Sequence, residues 1–361
     1  MFDFLKNKKT IYGITAIILL IIIAIVLTIK PWVKKPVKVV ATQLGEMNIL
    51  DSVISADNQD ILYYDLDKLN LYKYNLKTKQ QTQISNNFAF VPEDLIWSPD
   101  RSQVIVKIVN DKTKFQDQKS VFFNSNVEDN ATMLWNYNLS TKKLALLNSE
   151  INNSIGASPH NPIWTTDSQK IIYSYADQNQ TASLYTANPD GSGQQKIGDV
   201  PTDLYSIYIY DSKNKTVYYS TTIDQETETG QIYQYNLSTS KKAKIGINSN
   251  FGLAIDDHRF IYSDNENTKL YDITSNGQKT LPISLDTWRV AVSSNKNNLV
   301  VAIWNKDVGA YYIENINLQD FSVKKILNLD KGDAANYTNL NIDSNGNIFF
   351  VNNKNLFEIK N

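Results

Sequence analysis

The chain has 361 residues, 20% of them charged and 11% aromatic, with no cysteine and 13 glycines. A chain of that length buries a large core without staples, so a disulfide scaffold and a low-complexity disordered chain are both excluded. The lack of cysteine removes thiol nucleophiles, Cys-ligated zinc and iron–sulfur clusters, and two histidines, His160 and His258, leave too little for a histidine metal site.

Overall 36 basic residues face 37 acidic ones, but seven lysines and one aspartate fall in the first 38 residues. The remainder holds 29 basic and 36 acidic residues and is mildly acidic, with arginine at Arg101, Arg259 and Arg289 only. A nucleic-acid partner needs a basic face to neutralise phosphates, and the sequence offers none, so nucleic acid is excluded as a partner.

Taken in chain order, residues 1–10 are a short tail and residues 11–29 read IYGITAIILLIIIAIVLTI, without a charge. At a rise of 1.5 Å per residue that run spans about 29 Å, the thickness of a bilayer core, and predicts a single transmembrane α-helix. Lys30-Pro31-Trp32-Val33-Lys34-Lys35-Pro36 follows it rather than a small-residue cleavage site, which favours an uncleaved signal-anchor. Lysines flank the run on both sides, so charge alone does not orient it. A short tail before one span and one large domain predicts a cytoplasmic N-terminus and an extracytoplasmic body in the cell envelope.

Residues 30–45 are expected to be a linker and a ring-closing strand, and residues 46–361 one repeat domain. One segment type is an apolar strand, a polar turn with Asp or Asn, and a second apolar strand. It reads VISADNQDILYYD from Val53, IWSPDRSQVIVKI from Ile96 and IWTTDSQKIIYSY from Ile163, with weaker copies from Ile209, Ala254, Ala291 and Asn341. A second type, an aromatic strand ending in a turn of Asn, Ser, Thr and Lys, alternates with it: LYKYNLKTKQ from Leu71, LWNYNLSTKK from Leu134, LYTANPDGSGQ from Leu184, IYQYNLSTSKK from Ile232, and on to LFEIKN from Leu356.

About four short strands per 40 to 50 residues is a propeller blade. The fold class expected is all-β, a seven-bladed β-propeller, with six or eight blades as alternatives. The last unit has material for three strands, and the β-prone run from Val37 to Thr42 is expected to supply its outer strand, because an open edge there would invite pairing with another chain.

Trp97-Ser98-Pro99-Asp100 and Asn188-Pro189-Asp190-Gly191-Ser192-Gly193 resemble the WD40-like repeats of the TolB type (PD40), which also build the propellers of prolyl-oligopeptidase relatives. The resemblance covers the architecture of roughly residues 46 to 361. One blade carries the full WSPD tetrad, one carries NPDGSG, and Trp164 to Asp167 keeps only the ends of the tetrad. TolB proteins have an extra α/β domain and are cleaved into the periplasm, so their partners are not carried over.

Asp57, Asp100, Asp167 and Asn295 recur three residues after an anchor residue at the end of the first strand (Ile54, Trp97, Trp164 and Val292) and read as turn residues that accept backbone N–H bonds. Asp343 to Asn347 lacks the sixth-position glycine and terminal glutamate of a calcium loop and reads as an Asn-Gly turn. The sequence carries no GxSxG, HExxH, GxxxxGKS/T or GxGxxG segment, so no nucleotide, metal or other cofactor is expected.

Four residues before the strand anchors stand His160, Tyr205, Phe251 and Trp288, with Tyr337 one register away, positions that would ring the channel mouth. The insertion at 109–130 adds Phe115, Phe122 and Phe123. These eight are the candidate binding residues. The expected function is a non-enzymatic, membrane-tethered scaffold for an envelope protein or polysaccharide. The alternative is a glycan- or peptide-active enzyme with its site at the channel mouth.

Overall fold

The computed structural model describes residues 40–361 apart from 87, 89–90, 110–131, 148–158, 177–181, 222–229, 249–251, 265–266, 284–289, 294, 306–309, 329–336, 353 and 361. Its strands are β1 (Thr42–Glu46), then β2 (Ile49–Ile54), β3 (Asp60–Asp65), β4 (Asn70–Asn75) and β5 (Gln81–Gln83) in the first blade. The second blade has β6 (Asp94–Trp97), β7 (Gln103–Val109), β8 (Thr132–Asn138) and β9 (Leu144–Leu146), and the third β10 (Pro159–Trp164), β11 (Ile171–Ala176), β12 (Ala182–Ala187) and β13 (Gln195–Val200). The fourth has β14 (Leu204–Asp211), β15 (Thr216–Thr221), β16 (Gly230–Asn236) and β17 (Lys241–Asn248), and the fifth β18 (Gly252–Ala254), β19 (Arg259–Asp264), β20 (Asn267–Asp272) and β21 (Gly277–Leu281). The sixth has β22 (Val290–Val292), β23 (Asn298–Asn305), β24 (Ala310–Asn317) and β25 (Val323–Asn328), and the last β26 (Tyr337–Ile342), β27 (Ile348–Asn352) and β28 (Asn355–Ile359).

These form seven four-stranded antiparallel sheets, six of them in sequence order and the seventh in the order β1-β28-β27-β26. The protein is an all-β, seven-bladed propeller. Its innermost strands touch in a ring, β2 with β6 and β26, β10 with β14, β14 with β18, and β22 with β26. The ring closes through β1, where Thr42 pairs with Glu358 and Glu46 with Asn355. The closing strand thus runs from Thr42 to Glu46, whereas the sequence pointed to Val37–Thr42. β-propensity located the neighbourhood, and pairing with β28 fixed the register.

Within each blade the strands alternate in direction, so the first-to-second and third-to-fourth turns share one face, here the turn face. The second-to-third loops and the inter-blade connections share the other, the loop face. Both turn types are built from short polar side chains. Ser98 Oγ donates to Asp100 Oδ1 (2.6 Å) and accepts from the Gln103 amide (3.0 Å), while Asp100 Oδ1 accepts from the Ser102 amide (3.0 Å). Ser55 and Asp57, Thr165 and Asp167, and Ser293 and Asn295 repeat the arrangement. The residue after the acid or amide is left-handed each time, Asn58, Arg101, Ser168 and Lys296 with φ between 58° and 61°. The third-to-fourth turns use the last strand residue instead: Asn75, Asn138 and Asn236 each accept two backbone amides of the following turn.

The core is a series of apolar layers between blades. One layer joins Tyr64 and Leu71 of the first blade to Val104, Val106 and Tyr137 of the second. Another joins Tyr208 and Tyr218 of the fourth to Phe260 and Tyr262 of the fifth, and a third joins the closing blade to the first through Phe349, Val351, Ile61 and Tyr63. Each blade buries both faces against its neighbours, which is why β15 and β3 read as almost unbroken buried runs. Among the described residues no helix is long and apolar enough to cross a membrane, and the expected span at 11–29 lies outside the described residues.

Candidate functional site in the channel wall

The innermost strands of the first three blades are stitched together by tryptophan. The Trp97 indole at the end of β6 donates to Asp51 Oδ2 of β2 at 2.9 Å, and the Trp164 indole at the end of β10 donates to the Ile96 carbonyl of β6 at 2.9 Å. The same register that makes the WSPD tetrad a turn therefore places its tryptophan across the blade boundary. Further round the ring, Asn341 Nδ2 of β26 donates to Ser52 Oγ of β2 at 2.8 Å.

The left-handed turn residues form a second layer of contacts on the turn face. Ser168 Oγ of the third blade accepts the Asp100 amide of the second at 3.1 Å, and Asn58 Oδ1 of the first accepts the Ser344 amide of the last at 3.0 Å. Arg259 of the fifth blade holds Asp256 Oδ2 through Nε and Nη2 (2.9 and 2.7 Å) and donates from Nη2 to the Lys296 carbonyl of the sixth at 2.9 Å. Turn is thus tied to turn across three blade boundaries.

Charge is concentrated where these layers meet. Asp51 is half-buried, and crowding by the first two blades pushes its carboxyl up to about 7; the Ser52 amide and the Trp97 indole oppose that rise, and the charge of Arg101 opposes it more weakly. Burial lowers Arg101, and Asp51 and Asp100 work against that loss. Lys296 is lowered by burial and by the charge of Arg101, with Asp256 opposing. Burial disfavours a charged Asp256, but Arg259 and two turn amides outweigh it and hold the carboxyl below its usual range. The channel wall thus offers a carboxyl that exchanges its proton near neutrality and, towards the turn face, a guanidinium and an ammonium close enough to feel each other.

Asp57 and Asp167 behave otherwise: the hydroxyls of Ser55 and Thr165 and then the turn amides hold them low, as fixed anions of turn geometry. Sequence reasoning missed Asp51, which sits in the strand before the repeated pattern begins. Its signal was an acid in an innermost strand, legible only once β2 and β6 are known to be neighbours.

Of the eight candidate residues, Tyr205 lies in β14 with 53% of its surface exposed. His160 and Tyr337 lie in β10 and β26, but their side chains are outside the described residues, as are Phe251, Trp288, Phe115, Phe122 and Phe123 entirely.

The class the fold defines is the seven-bladed propeller, and 1116 solved chains match it. An oligogalacturonate lyase from Vibrio parahaemolyticus is similar over 91% of this chain and 95% of its own, with a TM-score of 0.58 and 12% identity. An oligogalacturonate lyase in complex with manganese is similar over 72% of this chain and 76% of its own, with a TM-score of 0.48 and 12% identity. No protein-family profile and no curated protein sequence matches the chain.

The Vibrio likeness corrects one expectation. The lack of hydrolase and nucleotide motifs pointed to a non-enzymatic scaffold, yet a chain of this architecture, matched along nearly its whole length, is a lyase. Absence of a local motif therefore does not make this architecture non-enzymatic, because a propeller can assemble a site from single residues on different blades. No group of three or more His, Asp or Glu among the described residues is arranged to hold a metal ion.

Proposed function

We propose that this chain is a propeller enzyme acting on an acidic oligosaccharide, with Asp51 as the proton-carrying group and Arg101 and Lys296 as the cations that receive a uronate carboxylate. The observation that carries this reading is the half-buried Asp51 carboxyl, titrating near neutrality on the channel wall beside Arg101. The lyase activity of a protein with the same fold supports it.

In a β-elimination the C5 proton, acidified by the adjacent carboxylate, passes to Asp51. Its electron pair forms the C4–C5 double bond, the C4–O bond breaks, and the departing oxygen takes up a proton. A cation on the carboxylate stabilises the charge that builds there. A carboxyl near pKa 7 serves such a transfer better than one near 4. Substrate would come in from the loop face, opposite the turns that are tied together across blades.

The same reading places the propeller outside the cytoplasm, tethered to the cell membrane by residues 11–29, with an envelope polysaccharide as its partner. Protease digestion of the body on intact spheroplasts supports that placement; protection until permeabilisation overturns it.

The full chain is incubated with oligogalacturonate and with its methyl ester. Shortening of the acid form, with the ultraviolet absorbance of a conjugated double bond, is expected. Asp51→Asn should lose about 10²-fold or more of the rate, and Asp57→Asn should keep it. No shortening of the acidic oligomer, or full activity in Asp51→Asn, overturns the reading.

A further inference from the structure

The innermost strand that carries Asp51 is not regular. Ile49 pairs with Asp65 and Ser52 with Tyr63, so Leu50 and Asp51 of β2 stand opposite Tyr64 of β3 alone. An extra residue shifts the side-chain alternation of a strand by one, so this bulge decides which way Asp51 points. The bulge is pinned on both sides from the last blade. Asn339 Nδ2 donates to the Ile49 carbonyl at 3.3 Å, before it, and Asn341 Nδ2 donates to Ser52 Oγ at 2.8 Å, after it. β26 is itself bulged between these two asparagines: Thr338 pairs with Val351 and Asn341 with Phe349, and Asn339 is left-handed, with φ 54°. Asn341 Nδ2 donates to the Asn339 carbonyl as well, at 3.1 Å. One buried amide group thus spends both its hydrogens on holding two bulges.

We propose that Asn341 is a positioning residue of the candidate site: acting through Ser52, it fixes the bulge that sets the Asp51 carboxyl against the Ser52 amide and the Trp97 indole. The proposal rests on the reading of Asp51 as the proton-carrying group and names what holds that group in place. The Ser52 amide favours the charged carboxyl, and a residue gripped by its hydroxyl keeps its N–H in one direction. The charges that act on Asp51 come from elsewhere. Asp94 of β6 raises it, and Arg101 in the turn after β6 lowers it. β3 carries Asp60 and Asp65 at its two ends, paired with Lys73 (3.5 Å) and Lys68 (2.9 Å), and β26 has no charged side chain. Asn341→Ala therefore removes no charge, and any change it causes in the titration of Asp51 comes from geometry. Asn341 and Ser52 are 289 residues apart, so the site is complete only in the closed ring.

The full chain is titrated by infrared spectroscopy, the Asp51 carboxyl band being identified by its absence from Asp51→Asn, and turnover of oligogalacturonate is followed across the same pH range. Asn341→Ala and Ser52→Ala should each raise the Asp51 midpoint by about 0.5 to 1 pH unit, because the charged form loses its amide. The double variant should move it no further, since both changes act along one route. The kcat should fall about 10-fold or more while KM holds. Asn347→Ala removes a hydrogen bond to Asp343 (2.8 Å) from the same blade; it should lower the melting temperature and leave the midpoint alone. An unmoved midpoint in Asn341→Ala, or additive shifts in the double variant, overturns the positioning role. If Asn341→Ala does not fold, an unmoved midpoint in Ser52→Ala overturns it equally. Raised midpoints in a protein whose wild type never shortens oligogalacturonate support the placement of the carboxyl and overturn the catalytic reading instead.

Discussion

Between the first and second blades, the inner strands are joined by an indole-to-carboxylate hydrogen bond, with an ionisable group held in a half-buried site. Between the fourth and fifth blades the sheets meet through rings carried on β14, β15, β19 and β20. Tyr208 stacks on Phe260 at 5.1 Å, Tyr271 lies 5.2 Å from the same ring, Tyr218 6.1 Å and Tyr262 6.0 Å. Both junctions join the same kind of sheet. The aromatic one gains from area and ring geometry and holds no charge in its layer. The first junction has an apolar layer of its own, with Phe88 between Tyr64 and Tyr137, and adds beside it a carboxyl at a proton affinity useful near neutrality.

Deleting the hub of the aromatic junction should have the largest effect. Phe260 has no exposed surface, and Phe260→Ala should cost about 3–5 kcal/mol in urea unfolding, from lost transfer energy plus the cavity left among four tyrosines. A loss under about 1 kcal/mol would mean the layer collapses to fill the gap, and the contrast between the two junctions would fail.

At the other junction the expected effect depends on pH. The Asp51 carboxyl is raised from 3.8 to about 7 in the folded protein, so folding favours its protonated form. That contribution is fully present below the unfolded value and is lost as pH rises through about 7, at a cost of up to about 4 kcal/mol. Asp51→Asn keeps an oxygen for the Trp97 indole and removes the charge. It should therefore melt above the wild type at pH 8, match it near pH 4, and be inactive. Parallel melting curves across that range would show that Asp51 is not the strained group of this junction.

Gly252 tests how tightly the aromatic layer is closed. A methyl group there would run into the Tyr208 ring, so Gly252→Ala should cost about 1–3 kcal/mol by forcing the Tyr208–Phe260 stack apart. Near-ultraviolet circular dichroism reads the loss of ring order directly.

Trp97→Phe should have the smallest effect, about 0.5–1.5 kcal/mol, with a signature that separates it from loss of packing. The indole N–H favours the charged form of Asp51, so its removal should move the midpoint of the activity profile to higher pH. An unshifted midpoint, with stability reduced, would make Trp97 a packing residue only.

The turns show how much a local pattern can say. Ser-x-Asp at 55–57 and 98–100, and Thr-x-Asp at 165–167, close on their own backbone within five residues, so their structural role follows from sequence. The alternation of the two segment types likewise reached seven blades, because each blade repeats its own hydrogen-bonding chemistry. The closing strand was legible as a need rather than a place: a unit short of one strand implies a partner, but Thr42 to Glu46 found its register only against Asn355 to Glu358, more than 300 residues away. Asp51 was not legible at all. Its neighbour in space, Trp97, is 46 residues distant, and its proton affinity depends on how much water two packed blades exclude. Sequence determined the strands, turns and number of units, which depend on contacts between near neighbours. Tertiary structure alone decided which of many carboxylates lost their water, Asp51 and Asp94 among them, because that is set by residues that meet only when the ring closes.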